Sequence, residues 1–372
     1  EYLYDPGLFF DEDGKVYVVH GQGTLYLTEL NSDVKSVKGK PVKIWQGGFK
    51  NAHELGGGFG MEGSHMYRIN GKYYITCPAG GTGGWQICLR SDNIYGPYEH
   101  KLIMNDWSSY PKNGLHQGGM VQLKNGDWWF MIMQDRGPIG RVPCLVPVKW
   151  IDGWPMLGDE GKDLITYPKP ATGKKSKIKS PATTDEFNAS QLGLQWQWNH
   201  NPDNSRWSLK ERKGYMRLYA SQASTLKDAR NTLTQRVQGP SCEGSVEMEV
   251  TGLKDGNIAG FGIFEFPYAY VAIRQESGRR KIVMCNDGKD IETVEHFNGD
   301  KLWIRVRATD KEFKALFYYS LDGVNYKRIG NELQMGLGLP WTANRFALFN
   351  FNTTPQGNNG YADFNWFRFT NK

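Results

Sequence analysis

The chain has 372 residues and a formal net charge of +6 at pH 7, and 13% of its residues are aromatic. That length suits two domains rather than one. The 45 glycines and 17 prolines, with no long helix-period run, predict an all-β protein. The charge is spread out, apart from a basic cluster at Lys174, Lys175, Lys177 and Lys179 that is interpreted as a solvated linker. We therefore predict no nucleic-acid partner, and the absence of a long apolar run predicts no membrane partner.

The five cysteines are odd in number and lie mostly inside strand-like runs, at positions 77, 88, 144, 242 and 285. This pattern favours buried free thiols over a disulfide framework or a metal site.

Three segments of the first half repeat one another. They are DPGLFFDEDGKVYVV (residues 5–19), EGSHMYRINGKYYIT (62–76) and HQGGMVQLKNGDWWFM (116–131). Each begins with an ionisable residue, has a small residue two places on, and then pairs two strand-like runs across an Asp-Gly or Asn-Gly turn. Their starts, at Asp5, Glu62 and His116, are 57 and 54 residues apart, about the length of one four-stranded propeller blade with its loops.

Asp5, Glu62 and His116 are thus predicted to occupy equivalent positions in successive blades. The innermost strands of a propeller surround its axis, so these three residues would line one pocket. Glu62 also follows a glycine-rich approach (Gly56, Gly60) that lets the backbone curl close to a ligand. The alternative for an isolated glutamate is an ordinary surface or hydrogen-bonded role.

Propellers close with roughly four to eight blades, and the sequence displays three repeats. We expect a missing N-terminal propeller segment or a complementing second chain. Residues 1–166 are predicted to form the C-terminal part of a propeller. Residues 167–184, rich in Pro, Lys, Ser and Thr, are predicted to be a linker.

Residues 185–372 are predicted to form a β-sandwich of jelly-roll type. Eight strand candidates are visible, many of them alternating, as in residues 245–250. Hairpin turns are predicted at Asn286-Asp287-Gly288 and at Asp322-Gly323. The eight candidates are residues 215–219, 244–250, 259–264, 270–273, 281–284, 302–308, 313–320 and 346–351.

The sequence resembles glycoside hydrolase family 43, the β-xylosidase and α-L-arabinofuranosidase group. The three repeats and PVKWIDGWPML (147–157) look like its catalytic propeller. The segments LGLQWQWNHNPDNSRWSL (192–209), RNTLTQRVQGP (230–240) and YADFNWFRF (361–369) are similar to its concanavalin-A-like C-terminal domain. The resemblance implies a five-bladed propeller and an inverting hydrolysis, in which an acid protonates the leaving group and a base activates water.

By this resemblance Glu62, in the EGxH motif, is the general acid, and Asp5 is the third carboxylate, which orients the acid. Arg141 matches an arginine that reaches the sugar hydroxyls, and its alternative is a strand-end surface arginine. The alternative for Asp5 is a turn cap before Pro6.

His116 corresponds to an axial histidine that, in some members, lies near a central cation. The resemblance implies no required cofactor, although it leaves open a structural calcium at His116. Against this, a lone histidine is more often a satisfied hydrogen-bonding residue, and calcium prefers oxygen ligands. Trp85 and Phe59 are candidates for an aromatic wall against the sugar, or for core packing.

The family's general base is an aspartate of the first blade, and nothing before Asp5 can hold it. Asp106 and Asp135 are predicted to lie in later loops and do not match. We therefore expect an inverting glycosidase that releases xylose or arabinofuranose from hemicellulose oligosaccharides, with the base outside this chain. The alternatives are a non-catalytic carbohydrate-binding or scaffold fragment, and an unrelated lectin-like propeller.

Overall fold

The structure is a computed structural model that describes residues 3–46, 60–79, 84–105, 114–163, 166–171, 173, 177, 179–336, 342–355 and 357–372. The chain forms two compact units. The first comprises residues 1–136 and 141–176, and the second comprises residues 137–140 and 177–372. The boundary falls inside the predicted linker, whereas the assignment of residues 137–140 to the second unit has no counterpart in the sequence pattern. No helix within the described ranges is long and apolar enough to cross a membrane.

In the described part of the first unit, the strands form three four-stranded antiparallel sheets, each paired in simple chain order. The first blade contains β1 (Gly7–Phe10), β2 (Val16–His20), β3 (Thr24–Leu30) and β4 (Val42–Gln46). The second contains β5 (His65–Ile69), β6 (Lys72–Ala79), β7 (Trp85–Ser91) and β8 (Glu99–Met104). The third contains β9 (His116–Gln122), β10 (Trp128–Asp135), β11 (Arg141–Ile151) and β12 (Trp154–Leu157).

The three sequence repeats are the first two strands of the three blades, which confirms the predicted partial propeller. The turn chemistry is the expected one, because Asn70 and Gly71 both adopt positive φ, 51° and 77°, in the two-residue loop between β5 and β6. Asp135 ends strand β10, so its predicted place in a loop is wrong.

Apolar side chains fill the space between consecutive blades. Phe9 of β1 packs in one cluster with Met66 and Ile75 of the second blade. On the opposite side of that blade, Cys88 packs in another cluster with Phe130 of β10. The two central strands of the second blade, β6 and β7, are thus covered on both faces, which explains why their sequences are nearly continuous apolar runs.

The second unit is a two-sheet sandwich, as predicted. Its first sheet has the order β13-β17-β27-β19-β20-β21-β22, and a short strand, β16, pairs with β27. These strands are β13 (Gln197–Trp198), β16 (Ser221–Gln222), β17 (Leu233–Arg236), β19 (Asn257–Phe264), β20 (Ala269–Glu276), β21 (Arg279–Asn286), β22 (Lys289–Val294) and β27 (Arg345–Asn352). Short 3-10 turns occur at Gly137–Ile139 and Leu226–Asp228.

The second sheet has the order β14-β15-β28-β18-β23-β24-β25, and β26 pairs with β24. Its strands are β14 (Trp207–Ser208), β15 (Met216–Tyr219), β18 (Ser241–Glu249), β23 (Lys301–Thr309), β24 (Lys314–Ser320), β25 (Lys327–Arg328), β26 (Leu333–Gln334) and β28 (Tyr361–Asn371). All eight strand candidates correspond to strands with shifted ends. The five cysteines are free thiols, four buried and Cys144 half-buried, as predicted.

Candidate active site

The inner strands of the three blades begin side by side at the positions that the repeat predicts. Asp5 lies two residues before β1, Glu62 three residues before β5, and His116 is the first residue of β9. The small residue of the repeat has a physical reason at Gly7, because a Cβ atom there would lie 1.9 Å from the carbonyl oxygen of Ser64. Only glycine permits this close approach of the first two blades.

Glu62 is held by a tight backbone turn at the start of the second blade. The N–H of Met61 donates to the carbonyl of Pro78 at 2.6 Å, and the hydroxyl of Ser64 donates to the carbonyl of Met61 at 2.9 Å. On the other side, Gly63 has φ 63°, and a Cβ there would lie 2.5 Å from Nε2 of Gln117 in the third blade. Glu62 is therefore fixed between two neighbouring blades by backbone contacts.

Within the described part of the chain, one oxygen of the Glu62 carboxylate lacks a hydrogen-bond partner. Its Oε2 atom is buried and has no hydrogen-bond partner among the described residues. Leaving a buried carboxylate oxygen without a partner costs free energy, on the order of 1–3 kcal/mol or more. A buried oxygen without a hydrogen-bond partner calls for an explanation. Binding of a ligand or substrate atom at Oε2 provides one.

His116 is buried next to two charged residues of the third blade. Its Nδ1 atom lies 3.0 Å from the carbonyl oxygen of Gly114, and its Nε2 lies 3.4 Å from Oδ2 of Asp135. Burial lowers the pKa of His116, although the bond to Gly114 and the charges of Asp135 and Glu62 oppose the shift. The carbonyl can only accept, so Nδ1 carries the proton of the neutral ring. Because Glu62 contributes to this balance, its charge acts on the histidine.

Arg141 and Asp135 face each other across the end of the third blade. They are direct cross-strand partners in the pairing of β10 with β11, and Nε of Arg141 lies 3.4 Å from Oδ1 of Asp135. Arg141 also contributes to the electrostatic balance of His116. The structure thus brings together Glu62, His116 and Arg141 of the predicted set and adds Asp135 to them.

Asp5 stands apart from this group in its contacts. It is exposed, has a positive φ of 41°, and precedes Pro6. No hydrogen bond or ion pair joins its carboxylate to another residue in the described part of the chain. Neither the predicted orientation of Glu62 by Asp5 nor the alternative turn cap has a contact to support it, so the role of Asp5 stays a prediction.

Of the two candidates for an aromatic wall against the sugar, Trp85 and Phe59, the structure describes only Trp85. Trp85, the first residue of β7, is half-buried and packs on the apolar cluster between the first two blades. Its indole nitrogen is buried and has no partner within the described ranges. Its observed contacts are therefore those of the core-packing alternative. Phe59 lies outside the described residues.

Two glutamines complete the link between the second and third blades, and the sequence analysis missed both. Gln86 is fully buried in β7, and its Oε1 accepts from the backbone N–H of Gln117 at 2.8 Å. Gln117 itself has a φ of 56° and lies against Gly63. A lone amide in the apolar run WQICLR was the available signal, because a buried polar side chain needs a specific partner.

The described residues do not by themselves form a metal site. Among them, no group of three or more His, Cys, Asp or Glu side chains is placed to hold a metal ion. Both ring nitrogens of His116 already have close contacts, with Gly114 and Asp135. The structural calcium that the resemblance leaves open at His116 therefore stays a prediction.

Comparison with known proteins identifies both units. Residues 2–155 match the family described as glycosyl hydrolases family 43, and residues 184–370 match the β-xylosidase C-terminal concanavalin A-like domain. The chain is 33% identical to a putative β-xylosidase of Xylanibacter ruminicola over 90% of this chain and 62% of that protein. It is 30% identical to a β-xylosidase of Formosa agariphila over 99% of this chain and 70% of that protein.

A solved structure, the bifunctional GH43-CE protein of Bacteroides eggerthii, superposes with a TM-score of 0.88 at 38% identity. The match covers 100% of this chain and 48% of that one, so the chain spans about half the length of this relative. Four-stranded blades in the first unit and a two-sheet sandwich in the second define the class as an all-β propeller protein with a sandwich domain. The chain belongs to glycosyl hydrolase family 43.

Proposed function

We propose that this chain carries the acid half of an inverting glycosidase that releases terminal xylose or arabinofuranose from hemicellulose oligosaccharides. The observation that carries the proposal is Oε2 of Glu62, three residues before β5, which is buried and has no partner among the described residues. The names of the relatives, β-xylosidases among them, support the substrate class.

In this proposal each residue has a defined task. Glu62 holds a proton at the glycosidic oxygen and gives it to the leaving group, which requires a position shielded from water. Arg141 donates to sugar hydroxyls, and its ion pair with Asp135 holds the guanidinium in place. His116 donates from Nδ1 to the carbonyl of Gly114, and this bond fixes the ring with Nε2 at 3.4 Å from Oδ2 of Asp135.

We further propose that the general base comes from outside these three blades. Inversion needs a second carboxylate roughly 6.5–9.5 Å from the acid, on the opposite face of the sugar. The outer faces of the first and third blades support an additional blade on each side, because they expose apolar side chains. Leu8 and Phe10 of β1 are 47% and 63% exposed, and Val121 and Met131 of the third blade are 49% and 51% exposed.

An assay of the purified 372-residue chain on an aryl β-xyloside and an aryl α-L-arabinofuranoside, with the intact mass verified, tests this proposal. We expect no turnover from this chain and turnover when the chain is extended to include the remaining blades. Full turnover by the verified 372-residue chain would show that the base lies within it.

The second candidate function is a carbohydrate-binding fragment without catalysis, which the proposed location of the base outside these three blades also favours. Glu62→Ala in the extended enzyme separates the two candidates. Loss of turnover with retained sugar binding supports the glycosidase, whereas no effect on either supports the binder. Calcium stays a prediction that needs ligands beyond the described residues, and an unchanged melting temperature in EDTA would argue against it.

A further inference from the structure

The sandwich has a cleft that plays no part in the propeller site. It lies on the outer face of the first sheet, because side chains alternate along its strands. Phe261 and Val271 enter the core between the sheets, whereas Ile258 and Tyr270 belong to a separate cluster on the other face. The cleft has a volume of about 270 Å³. We propose that this cleft is a binding site for a neutral sugar residue of an oligosaccharide.

The wall of the cleft is aromatic, and its hydroxyls are donors. The rings of Tyr268 and Tyr270 are parallel, with centroids 6.1 Å apart, and both residues are buried. Burial raises the pKa of Tyr268 to about 12 and raises the pKa of Tyr270 as well. Both phenols therefore keep their protons at neutral pH. A pair of fixed phenol groups can donate to, and accept from, the hydroxyls of a sugar.

The floor of the cleft holds an arginine whose donors are only partly used. Arg274 donates from Nη1 and Nη2 to the two oxygens of Asp290, at 2.6 and 2.9 Å. Its Nε is buried and has no partner among the described residues, and Oε1 of Glu276 lies 4.0 Å away. Burial acts to lower the pKa of Arg274, but the bond to Asp290 together with the charges of Asp290, Tyr270 and Glu276 outweighs it, and the pKa is raised. The guanidinium is thus charged, clamped in one orientation, and short of one acceptor.

The net charge of the side chains that line the cleft favours a neutral ligand over an anion. Arg274 faces Asp290 and Glu276, so the charged side chains of the cleft sum to about minus one. A phosphate or a uronic acid would meet two carboxylates, which disfavours an anion. A neutral ligand rich in hydroxyls can instead accept from Arg274 and donate to the carboxylates. Ser224 and Thr225 add hydroxyls at the rim.

The size of the cleft limits the contact to a small part of a chain. A volume of about 270 Å³ is at the lower end for ligand sites, which typically measure about 300–1,000 Å³. One sugar ring fits with its neighbours in solvent, because Glu276 and Asp290 at the rim are exposed. Such a site retains an oligosaccharide without hydrolysing it, so the proposal does not depend on the catalytic role of Glu62.

The test is a calorimetric titration of the full 372-residue chain with xylotetraose and arabinotetraose, with trigalacturonate as the charged comparison. Hydrogen exchange with and without sugar locates the contact. We expect binding of a neutral probe, none of trigalacturonate, and protection confined to residues 269–294. Arg274→Gln is expected to weaken the affinity about tenfold or more, because one hydrogen bond to a charged group is lost.

A matched control is Arg368→Gln, which breaks a similar two-oxygen pair with Glu186 elsewhere on the sandwich and should leave the affinity unchanged. Tyr270→Phe removes one hydroxyl with little change of volume. If Arg274→Gln fails to fold, the affinity of Tyr270→Phe for the neutral probe tests the proposal instead. The proposal is overturned if no neutral probe binds, if protection appears only around Glu62 and His116, or if both cleft variants bind as the unmodified chain does.

Discussion

Two buried charged clusters, one in each unit, differ in how completely their hydrogen bonds are made. In the sandwich, the carboxylate of Asp363 accepts from Arg217 at 2.7 and 2.8 Å and from Arg212 at 3.0 Å. Both guanidinium groups also lie over aromatic rings, of Tyr361 and Tyr215, at 3.8 and 3.7 Å. Pairing with the carboxylates raises the pKa values of both arginines. This cluster is saturated.

The propeller site differs at Glu62. Its Oε2 is buried and has no hydrogen-bond partner among the described residues. A fully paired charge stabilises a fold and leaves nothing for a ligand, whereas a buried oxygen without a partner can bond to a substrate atom. The comparison therefore supports a structural role for Asp363 and the proposed chemical role for Glu62, although both are acidic residues of all-β units.

The largest expected effect is on turnover by Glu62→Gln in the extended enzyme. A general acid contributes about 10²–10⁴-fold, so hydrolysis of a natural xylobiose substrate should fall by that factor. A dinitrophenyl xyloside needs no protonation of its leaving group and should lose far less. Steady-state kinetics on both substrates check the prediction, and equal losses on the two would contradict the acid role. The variant should unfold in urea at about the same concentration as the parent chain.

Asp363→Ala should have the largest effect on stability. It leaves two partly buried guanidinium groups without their shared carboxylate, and breaking such a pair costs about 3 kcal/mol or more of the free energy of unfolding. Urea unfolding followed by circular dichroism measures it. Glu186→Ala, which removes an exposed partner of Arg368, is the matched control and should cost less than about 1 kcal/mol. Similar losses in the free energy of unfolding of the two variants would mean that the complete hydrogen bonding of Asp363 adds nothing to stability.

Gln86→Ala tests the link that holds the propeller site together. The backbone N–H of Gln117 would lose its acceptor, at a cost of about 1–2 kcal/mol in the free energy of unfolding. In the extended enzyme turnover should also fall, because Gln117 lies against the turn that carries Glu62. A variant that is destabilised but keeps its full turnover would show that Gln86 supports the fold and not the site.

The smallest expected effect is a pH dependence of stability from His116. Its pKa in the folded chain lies below the usual value of 6.5, so the unfolded state binds more protons as the pH falls. The contribution is complete above pH 6.5 and is lost as the pH drops towards the folded pKa. His116→Asn, which can still donate to Gly114, should flatten the loss of stability below pH 6.5. An unchanged slope in urea unfolding at pH 5, 6 and 7 would contradict the prediction.

The sequence analysis placed Glu62 and His116 correctly at the starts of inner strands, because repeated turn and strand signals give the period of the blades. The same reasoning set Asp135 aside as a loop residue. Its proximity to His116 and Arg141 comes from the register of β9, β10 and β11, in which Asp135 faces Arg141 and Met133 faces His116. Register across strands depends on pairing between distant segments, which a local pattern does not specify.

Trp85 shows that the role of a single aromatic residue cannot be predicted from the sequence. Its residue type is equally compatible with a sugar platform and with a core, and only the packing of β7 against the first two blades shows the contacts that it makes. Arg274 is a similar case, because nothing in the run AYVAIRQE distinguishes a surface arginine from one clamped by Asp290 in a cleft.

The sequence alone determined the all-β class, the blade repeat and the sandwich strands, because these depend on periodicity, turn residues and composition. The family followed from the resemblance of its motifs to those of known proteins. The tertiary structure alone decided which polar groups are satisfied. Asp363 accepts three hydrogen bonds, whereas Oε2 of Glu62 has no partner among the described residues, and both facts depend on burial and on partners from elsewhere in the chain, up to 151 residues away in the case of Arg212. Hydrogen-bond satisfaction is a property of the packed fold, and it is what separates a structural acid from a candidate catalytic one.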